Sequence, residues 1–259
     1  TSIIKNGIFT ACEIRDKCPP WSIKSKEIKH DREKKSISYK DSWLQLYDVP
    51  IFYFPKFFHP DPTVERQSGF LTPSILNSST TGGSINIPYF KVISENKDVT
   101  FTPRIYFNND FLIQNEYRQV EKNTKHISDF SLKKLGALSK THFFSNTKHS
   151  LENNFDFSEI EINLEKTSSD TYLKSDNIKS KTRNSNNLSL LNSYIKFDAS
   201  SEDLNIFAEI SAYEDLTQEK NSDKFQYILP NFSISKLLND NSNLQGDLNY
   251  KISGSSQKK

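Results

Sequence analysis

The sequence has no methionine, only two cysteines and seven glycines, and no apolar run long enough to form a membrane helix. Each shortage removes a class of function. The longest apolar stretch, residues 49–58, is broken by Pro50, Pro55 and Lys56. A spanning helix needs about 20 apolar residues, so any membrane crossing would have to be made by a closed barrel of strands. So few glycines leave no Gly-rich phosphate loop, and no G-x-S-x-G nucleophile turn occurs. The five histidines, His30, His59, His126, His142 and His149, show no H-x3-H or H-E-x-x-H spacing. Two thiols without neighbouring histidines fall short of the four ligands of a structural zinc site. No catalytic residue, metal or cofactor is therefore expected. The acidic residues alternate with apolar ones, as Glu159 and Glu161 do around Ile160. That pattern puts them on one strand face, not in a paired catalytic site. The absent methionine and the start at Thr1-Ser2-Ile3, without a charged and apolar leader, read as a piece of a longer protein whose ends need not be domain ends.

Charge is balanced, with 34 Lys and Arg against 32 Asp and Glu and a formal net charge of +2. The two signs are interspersed, so there is no basic face for nucleic acid. Only 34% of residues are hydrophobic and mean hydropathy is −0.67, which taken alone would suit a poorly ordered chain. Against that stand 19 Phe and 11 Tyr. Low hydropathy with many aromatics is also the signature of a transmembrane β-barrel, where alternate residues face lipid and aromatics gather at the interfaces.

The chain reads as all-β. Strand-forming residues recur at period two between clusters of Asn, Asp, Ser and Gly, and no stretch carries a 3.6-residue apolar stripe. Residues 1–58 contain short, irregular strand candidates at 21–28, 36–39, 42–47 and 50–53, with His30-Asp31-Arg32-Glu33 as a polar turn, a pattern that suits a jelly-roll or solenoid-like β domain. His59-Pro60-Asp61-Pro62 opens a hinge over 59–65, because two prolines remove two backbone donors. From residue 66 to 259 the strands lengthen. Val99, Phe101, Pro103, Ile105 and Phe107 share one face, while Thr100, Thr102, Arg104, Tyr106 and Asn108 share the other. Leu204 to Ala212 and Leu244 to Ile252 alternate similarly. Runs of about nine to eleven residues match a tilted bilayer crossing. The connection Asn108-Asn109-Asp110 is tight and 168–187 is long and polar, which predicts short turns at one end and long loops at the other. Alternation alone does not separate a barrel from a soluble β-sandwich, which also alternates.

Local motifs separate them. Residues 8–33 contain Ile8-Phe9-Thr10-Ala11-Cys12-Glu13, then Cys18-Pro19-Pro20-Trp21-Ser22-Ile23, then Glu27-Ile28-Lys29-His30-Asp31-Arg32-Glu33. Val49-Pro50-Ile51-Phe52-Tyr53-Phe54-Pro55-Lys56-Phe57 follows, and then Arg66-Gln67-Ser68-Gly69-Phe70-Leu71-Thr72-Pro73. In this order they resemble the LptD family: its F-T-x-C element, its W-x-(I/V) strand, its H-D turn, its V-P-(I/V)-F-Y segment and its R-x-S-G-F-L-x-P first barrel strand. Asp170-Thr171-Tyr172-Leu173 and Tyr227-Ile228-Leu229-Pro230-Asn231 resemble two further family marks. The resemblance implies the end of a periplasmic jelly roll (1–58), a hinge (59–65) and the first part of an outer-membrane barrel (66–259). It implies lipopolysaccharide as cargo, released sideways into the outer leaflet between the first and last strands, with no chemistry beyond transfer. It implies three partners besides the cargo: outer-membrane lipid, the lipoprotein LptE inside the barrel and a periplasmic bridge of LptA type. Another outer-membrane channel or receptor, or a soluble β-rich binding protein, would lack these motifs.

The resemblance also suggests roles for residues. Pro73 and Pro88 fall within the first two expected barrel strands and match the family's gate prolines. Proline lacks a ladder donor, so it either weakens the closing seam or marks an ordinary edge or bulge. Cys12 and Cys18 can close a small loop together. Alternatively Cys12, which matches the family cysteine, bonds a partner further along the whole protein. Phe52, Phe54, Phe57 and Phe58 either fill the jelly-roll core or line the path of acyl chains.

Overall fold

The computed structural model describes residues 1–10, 21–61, 63–64, 66–135, 138–152, 155–183, 185–219, 221–238 and 248–258. The chain divides into two units, Thr1–Gln67 and Ser68–Lys259. The all-β, antiparallel expectation holds in both. No helix among the described residues is long and apolar enough to cross a membrane.

The first unit is one antiparallel sheet, ordered β1 (Ser2–Phe9), β2 (Trp21–Asp31), β3 (Ser36–Leu46), β4 (Val49–Pro60). Tyr47 and Asp48 both adopt positive φ between β3 and β4, the backbone that a two-residue hairpin of matching twist requires. Two sequence expectations change here. Residues 36–39 and 42–47 were expected as separate strands, yet 36–46 is one strand, because Asp41 takes φ 50° and kinks it without ending it. The buried face shifts accordingly, from Ile37 and Tyr39 before the kink to Ser42 after it. Likewise, pairing continues through His59 and Pro60, opposite Ile37 and Ser36, where the sequence placed the start of a break. Because β4 is the sheet edge, its prolines cost few ladder bonds. The core is small: Ile23, Ile28, Ile37 and Tyr39, flanked by Phe9, Trp21, Leu44 and Phe57. One layer can bury only one face, and the other leaves Trp43 in tilted contact with Tyr53 at 5.1 Å between ring centroids, both exposed.

The second unit is a 13-stranded antiparallel sheet with sequential neighbours. Its strands are β5 (Gly69–Phe70), β6 (Ser74–Ser78), β7 (Gly82–Asn86), β8 (Tyr89–Ser94), β9 (Lys97–Tyr106), β10 (Phe111–Val120), β11 (Thr124–Leu135), β12 (Leu138–Ser150) and β13 (Phe157–Thr167). The short helix α1 (Tyr172–Ser175) precedes β14 (Leu190–Ser200) and β15 (Leu204–Asp215); then come helix α2 (Asn221–Lys224), β16 (Phe225–Leu238) and β17 (Leu248–Lys258). The β5/β6 edge and β17 do not pair, so the sheet is open. The tight turn at Asn108-Asn109-Asp110 and the long connection 168–189 leave the same end of the sheet. Both follow strands of one direction, β9 and β13, so the expected division of short and long loops between two ends does not hold for this pair.

Burial is reversed relative to a soluble sheet. On β13, Glu161, Asn163, Glu165 and Thr167 are buried on one face, while Ile162 and Leu164 on the other are 39% and 48% exposed. On β9, Asp98 and Arg104 are buried, while Phe101 and Ile105 are exposed. Water-facing sheets put apolar residues inward. Here the polar face is covered and the apolar face is bare.

Candidate functional site

Two features of the second unit stand out, an interrupted edge and a dense inner polar network. The edge comes first. β7 and β8 pair β9 in one continuous register, Asn86 opposite Arg104 and Tyr89 opposite Phe101, so they are two halves of one strand. On the other side Gly69 faces Phe90 and Phe70 faces Tyr89, whereas Ser74 faces Asn86. Residues 71–73 thus oppose only 87–88, which leaves one extra residue on the edge strand, a bulge. Pro73 and Pro88 sit in this break, immediately before β6 and β8, and not within strands as the sequence suggested. Neither can donate to a ladder, which is why pairing stops at both. A single bond bridges the gap, from Leu71 N–H to the Pro88 carbonyl at 2.9 Å, and Ile87 N–H reaches the Pro103 carbonyl at 3.1 Å. Because of the slip, Phe70 and Ile75, five residues apart, are both exposed at about three-quarters of their surface.

The network lies on the inner face. The loop 168–189 folds against it and buries Tyr172, Leu173 and Ile178 completely, among Tyr106, Leu112, Phe144, Leu191 and Leu216. Asp176, at the end of α1, is the hub. Its carboxylate accepts hydrogen bonds from Tyr106 Oη and Lys133 Nζ, both at 2.6 Å. Its backbone carbonyl accepts one from Arg104 Nη1. Arg104 Nε donates to Asn86 Oδ1 at 2.9 Å, and Asn86 Nδ2 donates to Ser74 Oγ at 3.2 Å. The register Ser74–Asn86–Arg104 makes this chain possible, since cross-strand partners lie side by side. It runs unbroken from the edge strand, beside Pro73, to the loop. Thr80 adds a second tie, donating to the Ser175 carbonyl at 3.0 Å.

Below the loop, Ser131, His142 and Asp129 come together on β11 and β12. Ser131 Oγ bonds His142 Nδ1, and His142 Nε2 lies 3.3 Å from Asp129 Oδ1, close enough for attraction but off the line of a hydrogen bond. Ser131 is also bonded to Tyr172 Oη at 2.7 Å, and all three residues are sealed from solvent. A hydroxyl with no access to substrate is no nucleophile; this trio anchors the loop. Alternation signalled it, since Asp129, Ser131 and Lys133 share one face of β11, but nothing in the sequence said that a loop would cover them.

In the first unit, Phe57 packs on Tyr39 and Phe54 at 5.7 and 5.3 Å, while Phe54 meets Phe52 at 4.7 Å. Phe58 and Phe52 are exposed. A cavity of about 510 Å3 has Phe57 and Phe58 on its wall with Lys29, Lys40 and Lys56. Tyr39 Oη contacts His59 Nε2 at 2.6 Å and His59 Nδ1 contacts the Pro60 carbonyl at 2.6 Å. The carbonyl can only accept, so Nδ1 carries a hydrogen, and with a neutral imidazole the tyrosine donates to Nε2. Burial pushes the Tyr39 phenol up, in keeping with that role. Cys12 and Cys18 lie outside the described residues.

No family model matches the sequence. Individual proteins do. The chain is 35% identical over 117 residues to an LPS-assembly protein LptD of Yersinia pestis bv. Antiqua, covering 45% of this chain and 15% of that protein. It is 31% identical over 121 residues to the LptD of Acinetobacter baylyi (47% and 14%), and 29% identical over 125 residues to that of Pseudomonas aeruginosa (48% and 13%). The matched stretch is about one-seventh of the length of these relatives. The likeness to LptD carried by the motifs thus extends over nearly half of the chain.

Proposed function

Taking that likeness to LptD as premise, we propose that this chain belongs to an outer-membrane translocon that assembles lipopolysaccharide into the outer leaflet. In this reading the first unit is the end of the periplasmic jelly roll, residues 59–65 form the hinge, and the second unit is the first part of the barrel. The observation that carries the proposal is the inside-out sheet. A bare apolar face opposite a buried charged face is unfavourable in water and favourable in a bilayer with a polar lumen. The strands of 10 to 14 residues from β9 onward support it, being long enough to cross at a tilt. Two open edges support a barrel that is completed by strands beyond this chain, since an uncovered edge invites aggregation.

The interrupted edge supports a lateral gate at Pro73 and Pro88. The first strand must pair the last for closure, and a ladder with a break opens at lower cost than a continuous one. Phe52, Phe54, Phe57 and Phe58 suit acyl chains on their way to the barrel, and Phe57 and Phe58 share a cavity with three lysines and one carboxylate, Glu27, a balance that favours an anionic head. LptE in the lumen, an LptA-type bridge on the jelly roll and a disulfide from Cys12, either to Cys18 or to a cysteine beyond this chain, complete the proposal.

The test uses the full-length protein in its own cells. It should fractionate with the outer membrane, and the double variant Pro73→Ala, Pro88→Ala should slow delivery of lipopolysaccharide to the cell surface while assembly of the barrel persists. Unchanged delivery removes the gate role. A wild-type protein found outside the outer membrane removes the translocon reading itself.

A further inference from the structure

The first unit's sheet has a second face, turned away from its core. Directly paired side chains stand on one side of a sheet, so pairing across strands fixes the rows. Ile8, Lys24, Trp43 and Tyr53 pair in succession from β1 to β4. Lys5, Glu27, Lys40 and Lys56 form a second row, and Ile3, Lys29, Ser38 and Phe58 a third. Each is offset by one residue from a core row, such as Phe9, Ile23, Leu44 and Phe52, so all three face outward. Ile3, Ile8, Trp43, Tyr53 and Phe58 are exposed there. So are the five lysines, Lys5, Lys24, Lys29, Lys40 and Lys56. Against them stand Glu27 and Asp41, and Asp41 accepts a hydrogen bond from Tyr53 Oη at 2.9 Å. None of the five lysines makes an ion pair within 4 Å among the described residues.

A lone apolar side chain on a surface is ordinary, but rows of them among unpaired lysines mark an interaction face. Tryptophan and tyrosine favour the level of lipid head groups, where the ring is buried and its polar edge stays wet. A lysine stem lies along apolar surface while its ammonium reaches outward to phosphate. Each lysine close to an anionic membrane strengthens binding by about fivefold. Residues 61–67 join β4 to the second unit, a length of chain that spans about 25 Å at most. With the second unit in the outer membrane, that tether holds the sheet near the bilayer, so a weak surface affinity suffices. We propose that the outward face docks on the periplasmic leaflet of that membrane, with Trp43 and Tyr53 at head-group depth and the lysines on the phosphates of anionic phospholipid. The inference rests on the outer-membrane reading of the second unit. Docking through this face leaves the core face, with Phe52, Phe54 and Phe57, open to cargo.

The experiment uses the full-length protein reconstituted in vesicles, with a fluorescent amino acid in place of the exposed Ile8. Phospholipids brominated on the acyl chain act as quenchers. One set of vesicles is phosphatidylcholine, and the other is phosphatidylcholine mixed with phosphatidylglycerol. Quenching should be strong in the anionic vesicles, weak in the neutral ones, and should fade as salt rises. Lys5→Gln with Lys24→Gln should lower the ratio of docked to undocked sheet by about thirtyfold, two factors of about five, and Lys5→Arg with Lys24→Arg should retain it. Both lysines are exposed and lie outside the cavity walled by Phe57 and Phe58, so these changes spare the fold and the cargo path. Equal quenching in the two lipids, or quenching unchanged by the glutamine pair, overturns the docking. Absence of quenching in both also overturns it and leaves the face to a protein partner. In each of these cases, delivery of lipopolysaccharide to the cell surface by the unmodified protein would still support the translocon.

Discussion

Consider an arginine placed at Ile195. In β14 this is the sixth of 11 residues, so it lies at mid-strand. It faces outward, 55% exposed, and pairs Ile162 on one side and Ile210 on the other, so three isoleucines form a row across the outer face. Eleven residues at about 3.4 Å rise, tilted by about 45°, span roughly 24 Å, close to the height of a barrel's apolar band. Ile195 therefore lies near the bilayer midplane. An arginine there should cost about 2–4 kcal/mol, whereas at the interface the cost falls to about 0–1 kcal/mol. Phe111 provides the comparison. It begins β10, pairs the outward Ile105 near the end of β9, and is 44% exposed, not far from Ile195. Urea titration of the full-length protein folding into phospholipid vesicles, read by gel mobility, should show Ile195→Arg strongly destabilised and Phe111→Arg nearly unchanged. In water, equal exposure would give both an effect within about 0.5 kcal/mol. Two equal and small effects would refute the bilayer reading of the outer face.

The hub of the inner loop and the acid sensitivity of the first unit give further tests. Asp176→Ala strands the buried Lys133 ammonium, whose next carboxylate is Asp110 at 3.8 Å, and breaking a buried pair costs about 3–5 kcal/mol. Amide exchange at Ser175 and Ile178 should accelerate by about two orders of magnitude or more, and removing both charges with Lys133→Met and Asp176→Asn should recover most of it; unchanged exchange in Asp176→Ala would dismiss the hub. In the first unit, hydrogen bonds from the Thr63 amide and hydroxyl, with His30 in contact, hold the Asp61 carboxyl down at about 2. A depressed carboxyl stabilises the fold above its unfolded value of 3.8, and that stability is lost as pH falls towards 2. Both tryptophans of this chain, Trp21 and Trp43, lie in this unit, so within this chain their fluorescence follows it. The gap in melting temperature between the native protein and Asp61→Asn should be open at pH 5 and close between about pH 4 and 2; a gap that persists at pH 2 contradicts the assignment.

The faces of the long strands were legible because side chains alternate with a period of two whatever the solvent, so the split of Phe101 and Ile105 from Arg104 and Tyr106 could be read directly. The sense of burial could not, since the same alternation serves a sandwich and a barrel. The strand was split at Lys40-Asp41 because the sequence does not show that Asp41 kinks one strand and does not separate two. The sequence put Pro73 and Pro88 within strands, yet a proline does not disclose whether it sits in a strand or creates its end; that depends on the partner's register. The loop 168–189 looked like a solvated excursion. Its apolar anchors, Tyr172, Leu173 and Ile178, are too few and too widely spaced to register as a periodic segment, and their partners are distant in sequence.

The break in the edge strand has a mechanical meaning. A continuous edge of this length would behave as one fastener, released fully or not at all. This one is perforated: two residue pairs hold Gly69–Phe70, five hold Ser74–Ser78, and one amide bridges the perforation. Detachment can then begin with the short piece and halt there, while Ser74, clasped by Asn86 and through it by Arg104, keeps the longer piece fastened. The edge is thus a latch with two catches of unequal strength, and the weaker one is nearer to the preceding unit along the chain.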